Sequence, residues 1–242
     1  MRKFVTVGWA IPLALVVTGL LRAEEPKDII DRAIKAAGGE ENLAKFKCHT
    51  WSAKGTYYGQ GTDIAYTATY AVHWPDKFRV DITDFILLVL NGDKAWIKMG
   101  SDTNEMPLDQ LAEQKEAQHC SYVTTLLPLK GKGFTLATLG EIKVGDRPAL
   151  GVKVSSKNHR DVSLYFDKAT NLLVKADYTV KSQEQGGKEV TQESLFGNYT
   201  DIQGAKIPMK LTINRDGKKY VDAENTDLKP VDKPDEKLFT KP

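Results

Sequence analysis

The stretch Tyr66-Thr-Ala-Thr-Tyr-Ala-Val-His-Trp74 decides the fold, because large apolar or aromatic residues occupy every second position. A period of two is typical of a β-strand that has one face in the core and one in water. The same alternation returns over residues 174–181 and 209–214. Polar residues fill the intervening positions, which favours an antiparallel sheet whose two faces differ.

Turn signals separate these strands at short intervals, among them Asn91-Gly-Asp93, Gly186-Gly187 and Asp216-Gly217. Strands joined this closely predict an antiparallel meander. Two regions interrupt the pattern with helical spacing of apolar residues: 29–37, followed by a short turn with Leu43 and Phe46, and Leu108 to Leu127. We expect the second helix to lie across one face of the sheet, so that each removes the other's apolar side chains from water.

The N-terminus has the pattern of a secretory signal. Arg2 and Lys3 precede an uncharged apolar run over 4–21, and Ala23 suits a cleavage site. The run is shorter than the roughly 20 residues of a spanning helix, so an uncleaved anchor is the less favoured alternative. We therefore predict a cleaved signal over 1–23 and a single domain over 24–242.

Cleavage would remove three basic residues and no acidic one, changing the formal net charge from +2 to −1. A nearly neutral chain with interspersed charges has no basic stripe for phosphates, which argues against nucleic acid as a partner. Export also exposes Cys48 and Cys120 to an oxidising compartment. They are a candidate disulfide, worth about 4 kcal/mol in the chain-entropy model, or two separate buried thiols.

Four stretches together resemble the LolA-type lipoprotein carriers of the outer-membrane lipoprotein-sorting superfamily. They are Trp74-Pro-Asp-Lys-Phe-Arg79, Asn91-Gly-Asp-Lys-Ala-Trp96, Tyr165-Phe-Asp-Lys-Ala-Thr-Asn-Leu-Leu-Val174 and Asp235-Glu-Lys-Leu-Phe239 followed by Pro242. The resemblance implies an α+β fold in which a curved antiparallel sheet forms an open, incomplete β-barrel covered by short helices. It also implies an apolar cavity that receives acyl chains.

One position departs from that family. The carriers tend to have arginine immediately before the proline, where it helps to hold the lid helices closed. Trp74 stands there in this chain, and the nearby cation is Arg79. The resemblance therefore extends to the fold more readily than to that particular latch.

A lipid-binding cavity needs apolar walls and no catalytic group. The predicted ligand-binding residues, taken from the inferred inner strand faces and the covering helix, are Tyr66, Tyr70, Trp74, Phe78, Phe85, Leu87, Trp96, Leu126 and Leu127. For each of them, ordinary core packing is the competing interpretation.

The sequence offers little for catalysis or metal binding. The four histidines match no zinc-protease, serine-hydrolase or phosphate-loop motif. Cys48-His49 and His119-Cys120 form a mirrored pair, but adjacent residues on a strand or helix point in different directions, which disfavours zinc. We predict no catalytic residues, no metal and no cofactor.

The leading functional prediction is a non-enzymatic, soluble protein of the periplasm or cell envelope. It would bind a lipid or lipoprotein acyl chain, act as a monomer with peripheral membrane contact, and in the fuller version carry its ligand between membranes. The alternative is an interaction or sensing module with a filled core that recognises an envelope protein. A hydrolase or isomerase is a third, weaker option, because it would require a histidine and a carboxylate to converge in the cavity.

Overall fold

The computed structural model describes residues 24–59 and 61–242; the predicted signal segment 1–23 lies outside this part. The described chain forms one antiparallel sheet of thirteen strands in the order β6-β5-β4-β3-β2-β1-β13-β12-β11-β10-β9-β8-β7. The strands are β1 Cys48–Tyr57, β2 Ile64–His73, β3 Lys77–Ile82, β4 Ile86–Asn91, β5 Lys94–Met99, β6 Asp102–Glu105, β7 Phe134–Val144, β8 Arg147–Ser156, β9 Val162–Asp167, β10 Leu173–Ser182, β11 Lys188–Ile202, β12 Ala205–Arg215 and β13 Lys218–Pro230. The helices are α1 Pro26–Ala36, α2 Gly39–Ala44 and α3 Leu108–Thr124, with 3-10 segments at Lys45–Lys47, Leu127–Lys130, Gln183–Gln185 and Glu236–Phe239.

The sheet is curved and open. Strands β1 and β13 pair at its centre, whereas β6 and β7 are its two edges and do not pair with each other. Register shifts occur in β1, β7, β10 and β12, and such irregularities bend strands and increase their twist. The predicted α+β class and the open, curved antiparallel sheet with short helices are confirmed.

Helix α3 connects the two edge strands. Near its start, Leu111 packs with Leu90 and Met106 on the β4–β5 side of the sheet. Near its end, Cys120 and Val123 are fully buried in the main core with residues of β8, β9 and β10. The helix therefore crosses the open side of the sheet, as the sequence predicted for a helix that covers one face.

The predicted extent and apolar stripe of α3 are partly wrong. The helix ends at Thr124, and Leu126 has a φ of 69° before the following 3-10 segment. Leu108 is 83% exposed, and Ala112 is also exposed, so Leu111 alone represents the expected apolar start. The reason is that α3 turns a mainly polar face toward the interior.

Helices α1 and α2 follow the prediction. Ile29, Ile30, Ala33 and Ile34 are buried and form part of the main core, and the chain then turns at Gly38. Gly38 has a φ of 114°, and a Cβ there would collide with the carbonyl oxygen of Gly204. Glycine is required because the turn packs directly on the β11–β12 loop.

A second layer of packing lies under the C-terminal segment. Phe239 is 1% exposed and packs with Ala71 and Val89, and Leu87 and Trp96 border this cluster. The backbone oxygen of Phe239 accepts a hydrogen bond from Asn91 Nδ2 at 3.1 Å. The closing residues of the chain thus cover the face of β2–β5 opposite to α3.

Cys48 and Cys120 are both buried and unbridged, which is the second of the two alternatives left by the sequence. Burial raises the pKa of the Cys120 thiol to about 12, so the thiol stays protonated. Among the described residues, no helix combines the length and apolarity needed to cross a membrane.

Candidate functional site

A cavity of about 930 Å³ lies between the concave face of the sheet and the helices. Both halves of the sheet contribute to its wall: β1, β4 and β5 on one side, and β10, β11 and β12 on the other. Helix α3 and the 3-10 segment after it cover the cavity, and α2 reaches its edge through Leu43 and Ala44. This volume is at the upper end of the roughly 300–1,000 Å³ typical of small-molecule sites.

One wall is aromatic. Trp51 on β1 is paired in register with Tyr70 on β2, which stacks their rings at 4.6 Å with an interplanar angle of 4°. His49 stacks on the other side of Trp51 at 5.1 Å. Trp74, just after β2, lies 5.7 Å from the ring of Tyr122 on α3. These contacts make a rigid, largely apolar surface beneath the helix.

His49 is neutral in this wall. Burial lowers its pKa to about 4, and only its hydrogen bond of 2.8 Å with the Phe46 carbonyl oxygen opposes that shift. A carbonyl oxygen can only accept, so His49 Nδ1 donates the proton of this bond. His49 therefore contributes a neutral ring to the cavity at pH 7.

The side of α3 that faces the cavity is polar. Gln110, Gln114 and Gln118 recur at intervals of four residues and line the cavity, and Tyr122 continues the row one turn later. Residues four apart lie on one helix face, so the row is continuous. The cavity thus combines an apolar, aromatic floor with amide and hydroxyl groups on its cover.

A polar network closes the wall formed by β10, β11 and β12. Gln192 Nε2 donates to the Tyr178 hydroxyl at 2.7 Å, and Gln192 Oε1 accepts from Arg215 Nε at 3.1 Å. The Arg215 guanidinium lies 3.6 Å from the centroid of the Tyr220 ring and 3.4 Å from Glu184 Oε2. Arg215, which is partly buried, is therefore already paired.

Ion pairs tie α3 to the sheet. Arg160, in the β8–β9 loop, donates two hydrogen bonds of 2.7 Å to the carboxylate of Glu113. Glu113 also accepts from the Lys181 amide at 2.7 Å, and Glu116 accepts from the Arg160 amide at 2.7 Å. Burial raises the pKa of Glu113, but these hydrogen bonds outweigh it and the net shift is downward.

The histidines of this region stack outside the main cavity. His119 on α3 and His159 lie 3.5 Å apart, ring centre to ring centre, and Ser156 Oγ is 2.9 Å from His119 Nε2. Burial, followed by the neighbouring His159, lowers the pKa of His119. His159 faces a separate depression beside Glu116, so this histidine–carboxylate pair does not converge in the main cavity.

The predicted ligand-binding residues fall into three groups. Trp74, Phe78, Leu126 and Leu127 line the cavity. Tyr70 supports it from behind Trp51, and Tyr66, four residues earlier on β2, lies on the same strand face outside the lining. Binding by these residues remains a prediction. Their placement around one concave face agrees with the strand alternation.

The remaining three lie elsewhere, so their predicted position on the inner face is wrong. Phe85 is at the β3–β4 turn and is 65% exposed. Leu87 and Trp96 pack on the opposite side of the sheet, against the cluster of Phe239. For Leu87 and for Trp96, which is on the neighbouring strand, the cause is that β4 is apolar on both faces, so its sequence does not show which alternate residues face the cavity. Phe85 lies in the turn before β4 and belongs to neither face.

Several cavity residues were missed. Trp51, Tyr178, Phe196 and Tyr199 all line it. Trp51 could have been found from its register, because a residue paired with Tyr70 must share its face. Among the described residues, no cluster of three or more histidine, cysteine or acidic side chains is arranged to hold a metal ion.

Comparison with known proteins finds similar structures but no matching sequence. No family model and no curated protein matches the sequence. A LolA superfamily protein from Nitrosomonas europaea aligns with a TM-score of 0.59 and 15% identity, covering 90% of this chain and 99% of that one. A DUF1329 family protein from Desulfovibrio piger gives 0.61 and 12%, covering 90% and 98%. An outer membrane lipoprotein-sorting protein domain from Vibrio parahaemolyticus gives 0.55 and 11%, covering 88% and 97%. The chain therefore has the LolA-like fold.

Proposed function

We propose that this protein binds a long acyl chain, of a lipid or a lipid-modified protein, in the cavity beneath α3, and does so in the periplasm or cell envelope. The observation that carries the proposal is the cavity itself: about 930 Å³, with Trp51, Phe78, Leu88 and Ile97 among its walls. A single buried ligand of this class fits such an interior. The predicted signal over 1–23 and a solved structure described as lipoprotein-sorting support the location.

The energetics are sufficient for reversible binding. Each methylene removed from water contributes about 0.8 kcal/mol, so a chain of about 15 methylenes supplies about 12 kcal/mol before costs. The entropy lost when the ligand and α3 become ordered offsets part of this free energy. Affinity near the micromolar range results, which suits a protein that must also release its ligand.

The role is non-enzymatic in this proposal. The neutral His49 ring donates to a backbone carbonyl and stacks on Trp51, which is a structural role. The two other stacked histidines lie outside the cavity, by a separate depression. A carrier that moves its ligand between membranes is the fuller form of the same proposal, since α3 is a natural cover to open.

The alternative function, a protein-interaction or sensing module, was predicted with a filled core. A void of this size with aromatic walls favours a ligand inside over a solid interior, because protein interiors otherwise pack with few voids larger than a water molecule. The observation therefore ranks lipid binding first.

Native mass spectrometry of the full chain, produced in a bacterial host and purified without detergent, tests the proposal. A matched pair of variants sharpens it: Ala117→Trp introduces a large side chain at a cavity-lining position of α3, and Ala112→Trp introduces the same side chain at an exposed position of the same helix. We expect a lipid-sized adduct on the wild type and on Ala112→Trp, and a strong loss of the adduct on Ala117→Trp. A bare mass for the wild type after incubation with host lipids, or equal adducts on both variants, would refute binding in this cavity.

A further inference from the structure

Two hydrogen-bond donors in the cavity wall have no partner. Within the described part of the chain, Trp74 Nε1 and Gln118 Nε2 are buried and make no hydrogen bond. Both residues line the cavity, and Gln118 as a whole is only 5% exposed. Buried donors almost always make a hydrogen bond in folded proteins, so two unsatisfied donors beside one cavity need an explanation.

The two donor residues share a neighbour, Tyr122. Tyr122 follows Gln118 by one helical turn on the same face of α3, and its ring lies 5.7 Å from that of Trp74. Tyr122 thus links the end of β2 to the helix that covers the cavity.

A second glutamine in the same cavity, Gln192, has the hydrogen-bond partners that Gln118 lacks. Gln192 is similarly buried, but it donates to Tyr178 and accepts from Arg215. Gln118 borders the same space without a protein partner for its nitrogen. A ligand atom that accepts hydrogen bonds would complete it.

We propose that Trp74 and Gln118 form a subsite for a carbonyl oxygen, so that the ligand is an ester- or amide-linked acyl group and not a hydrocarbon chain alone. The inference rests on the proposed function, since it names the part of the acyl ligand that the wall recognises. An indole N–H and an amide N–H can only donate to it, and a carbonyl oxygen accepts two such bonds.

The chemistry of the subsite favours a neutral carbonyl over a carboxylate. Both donors are uncharged, and a buried carboxylate requires a cation or several donors to offset its lost hydration. Arg215, the arginine that lines the cavity, is paired with Glu184 and with Gln192, and the lysines at the cavity's rim, Lys47, Lys181 and Lys206, are exposed to solvent. A free fatty acid would therefore bind less tightly than its neutral ester.

The test uses two lipids that differ only in the carbonyl: 1-palmitoylglycerol, which is an ester, and 1-O-hexadecylglycerol, which is the corresponding ether. Their dissociation constants are measured by displacement of a fluorescent apolar probe, with palmitate as a third ligand. The wild type is compared with Trp74→Phe, Gln118→Leu and the double variant. Trp96→Phe is the matched control, because Trp96 packs on the opposite face of the sheet.

We expect the wild type to prefer the ester by about tenfold, as two modest hydrogen bonds would give. Each single variant should reduce the preference to about threefold, the double variant should abolish it, and Trp96→Phe should keep it. Affinity for the ether reports on folding, because the ether makes the same apolar contacts. Palmitate binding more tightly than the ester would overturn the neutral-carbonyl assignment.

Three other outcomes separate the two proposals. If both lipids bind the wild type equally, the subsite is wrong and acyl binding stands. If Trp96→Phe loses the preference as much as Trp74→Phe, the effect is general and the subsite is again wrong. If neither lipid binds the wild type, the proposed function fails, and the subsite fails with it.

Discussion

Acidification should destabilise this protein through His49, which lies in the aromatic wall of the cavity. Its pKa is lowered by burial from 6.5 to about 4. The unfolded chain therefore binds a proton at His49 between pH 6.5 and 4 that the folded protein does not bind, so the free energy of unfolding falls as the pH falls through this window. At 1.36 kcal/mol for each pKa unit, the loss at pH 4 is about 3 kcal/mol relative to pH 7.

The assay is urea unfolding at a series of pH values between 4 and 7.5, for the wild type and for His49→Phe. The variant loses the 2.8 Å bond to the Phe46 carbonyl oxygen, so its stability at pH 7 should be lower. Its pH dependence between 6.5 and 4 should nevertheless be weaker by about 3 kcal/mol, because the titrating group is gone. All other groups titrate in both proteins and cancel in the comparison. Parallel curves for the two proteins, or an NMR titration of His49 near pH 6.5, would refute the reasoning.

Three further predictions concern the cover and the core. Arg160→Met should lower the free energy of opening of α3, measured by hydrogen exchange, by about 1–3 kcal/mol, since two charged hydrogen bonds are lost. Lys115→Met, which removes a pair that is 45% and 93% exposed, should leave the opening free energy nearly unchanged. Gly38→Ala should lower the urea midpoint strongly, because its Cβ meets backbone at a positive φ; an unchanged midpoint would contradict the docking of that turn. In the unliganded protein, Gln192→Leu should lower the free energy of unfolding by about 1–3 kcal/mol, because its hydrogen-bond partners lose their bonds to it, whereas Gln118→Leu should leave the stability unchanged or raise it. Equal losses of stability on thermal unfolding would contradict this difference in hydrogen bonding.

The sequence predicted the fold well because alternation is a local signal. In β2, Ala68 and Val72 are buried while Thr67 and Thr69 are exposed, as the period of two requires. Helix α1 was predicted as reliably, since its stripe packs on a single core. Each element has one mainly apolar face, so pattern and burial largely coincide; Ala71 of β2, buried under Phe239 on the other face, is the exception.

The site was harder to predict wherever an element is buried on both faces. In β4, Leu88 lines the cavity, whereas Val89 packs under Phe239. The run Ile86–Leu90 is continuously apolar, so only the C-terminal segment, far away in sequence, decides what each side touches. Packing against the same distant segment explains why Leu87 and Trp96 face away from the cavity, contrary to the prediction.

Helix α3 illustrates why its role could not be inferred from hydrophobic periodicity. A cover over a cavity meets little protein along that face, so no tight apolar stripe is needed there, and a row of glutamines occupies it. Its two ends are held by different forces. The C-terminal half has Cys120 and Val123 fully buried, whereas at the N-terminal end Leu111 is buried and Leu108 is exposed. The partly buried pair of Arg160 with Glu113 stabilises that end instead. Opening the N-terminal half would therefore expose less apolar surface than opening the other half, so we expect this half of α3 to open first.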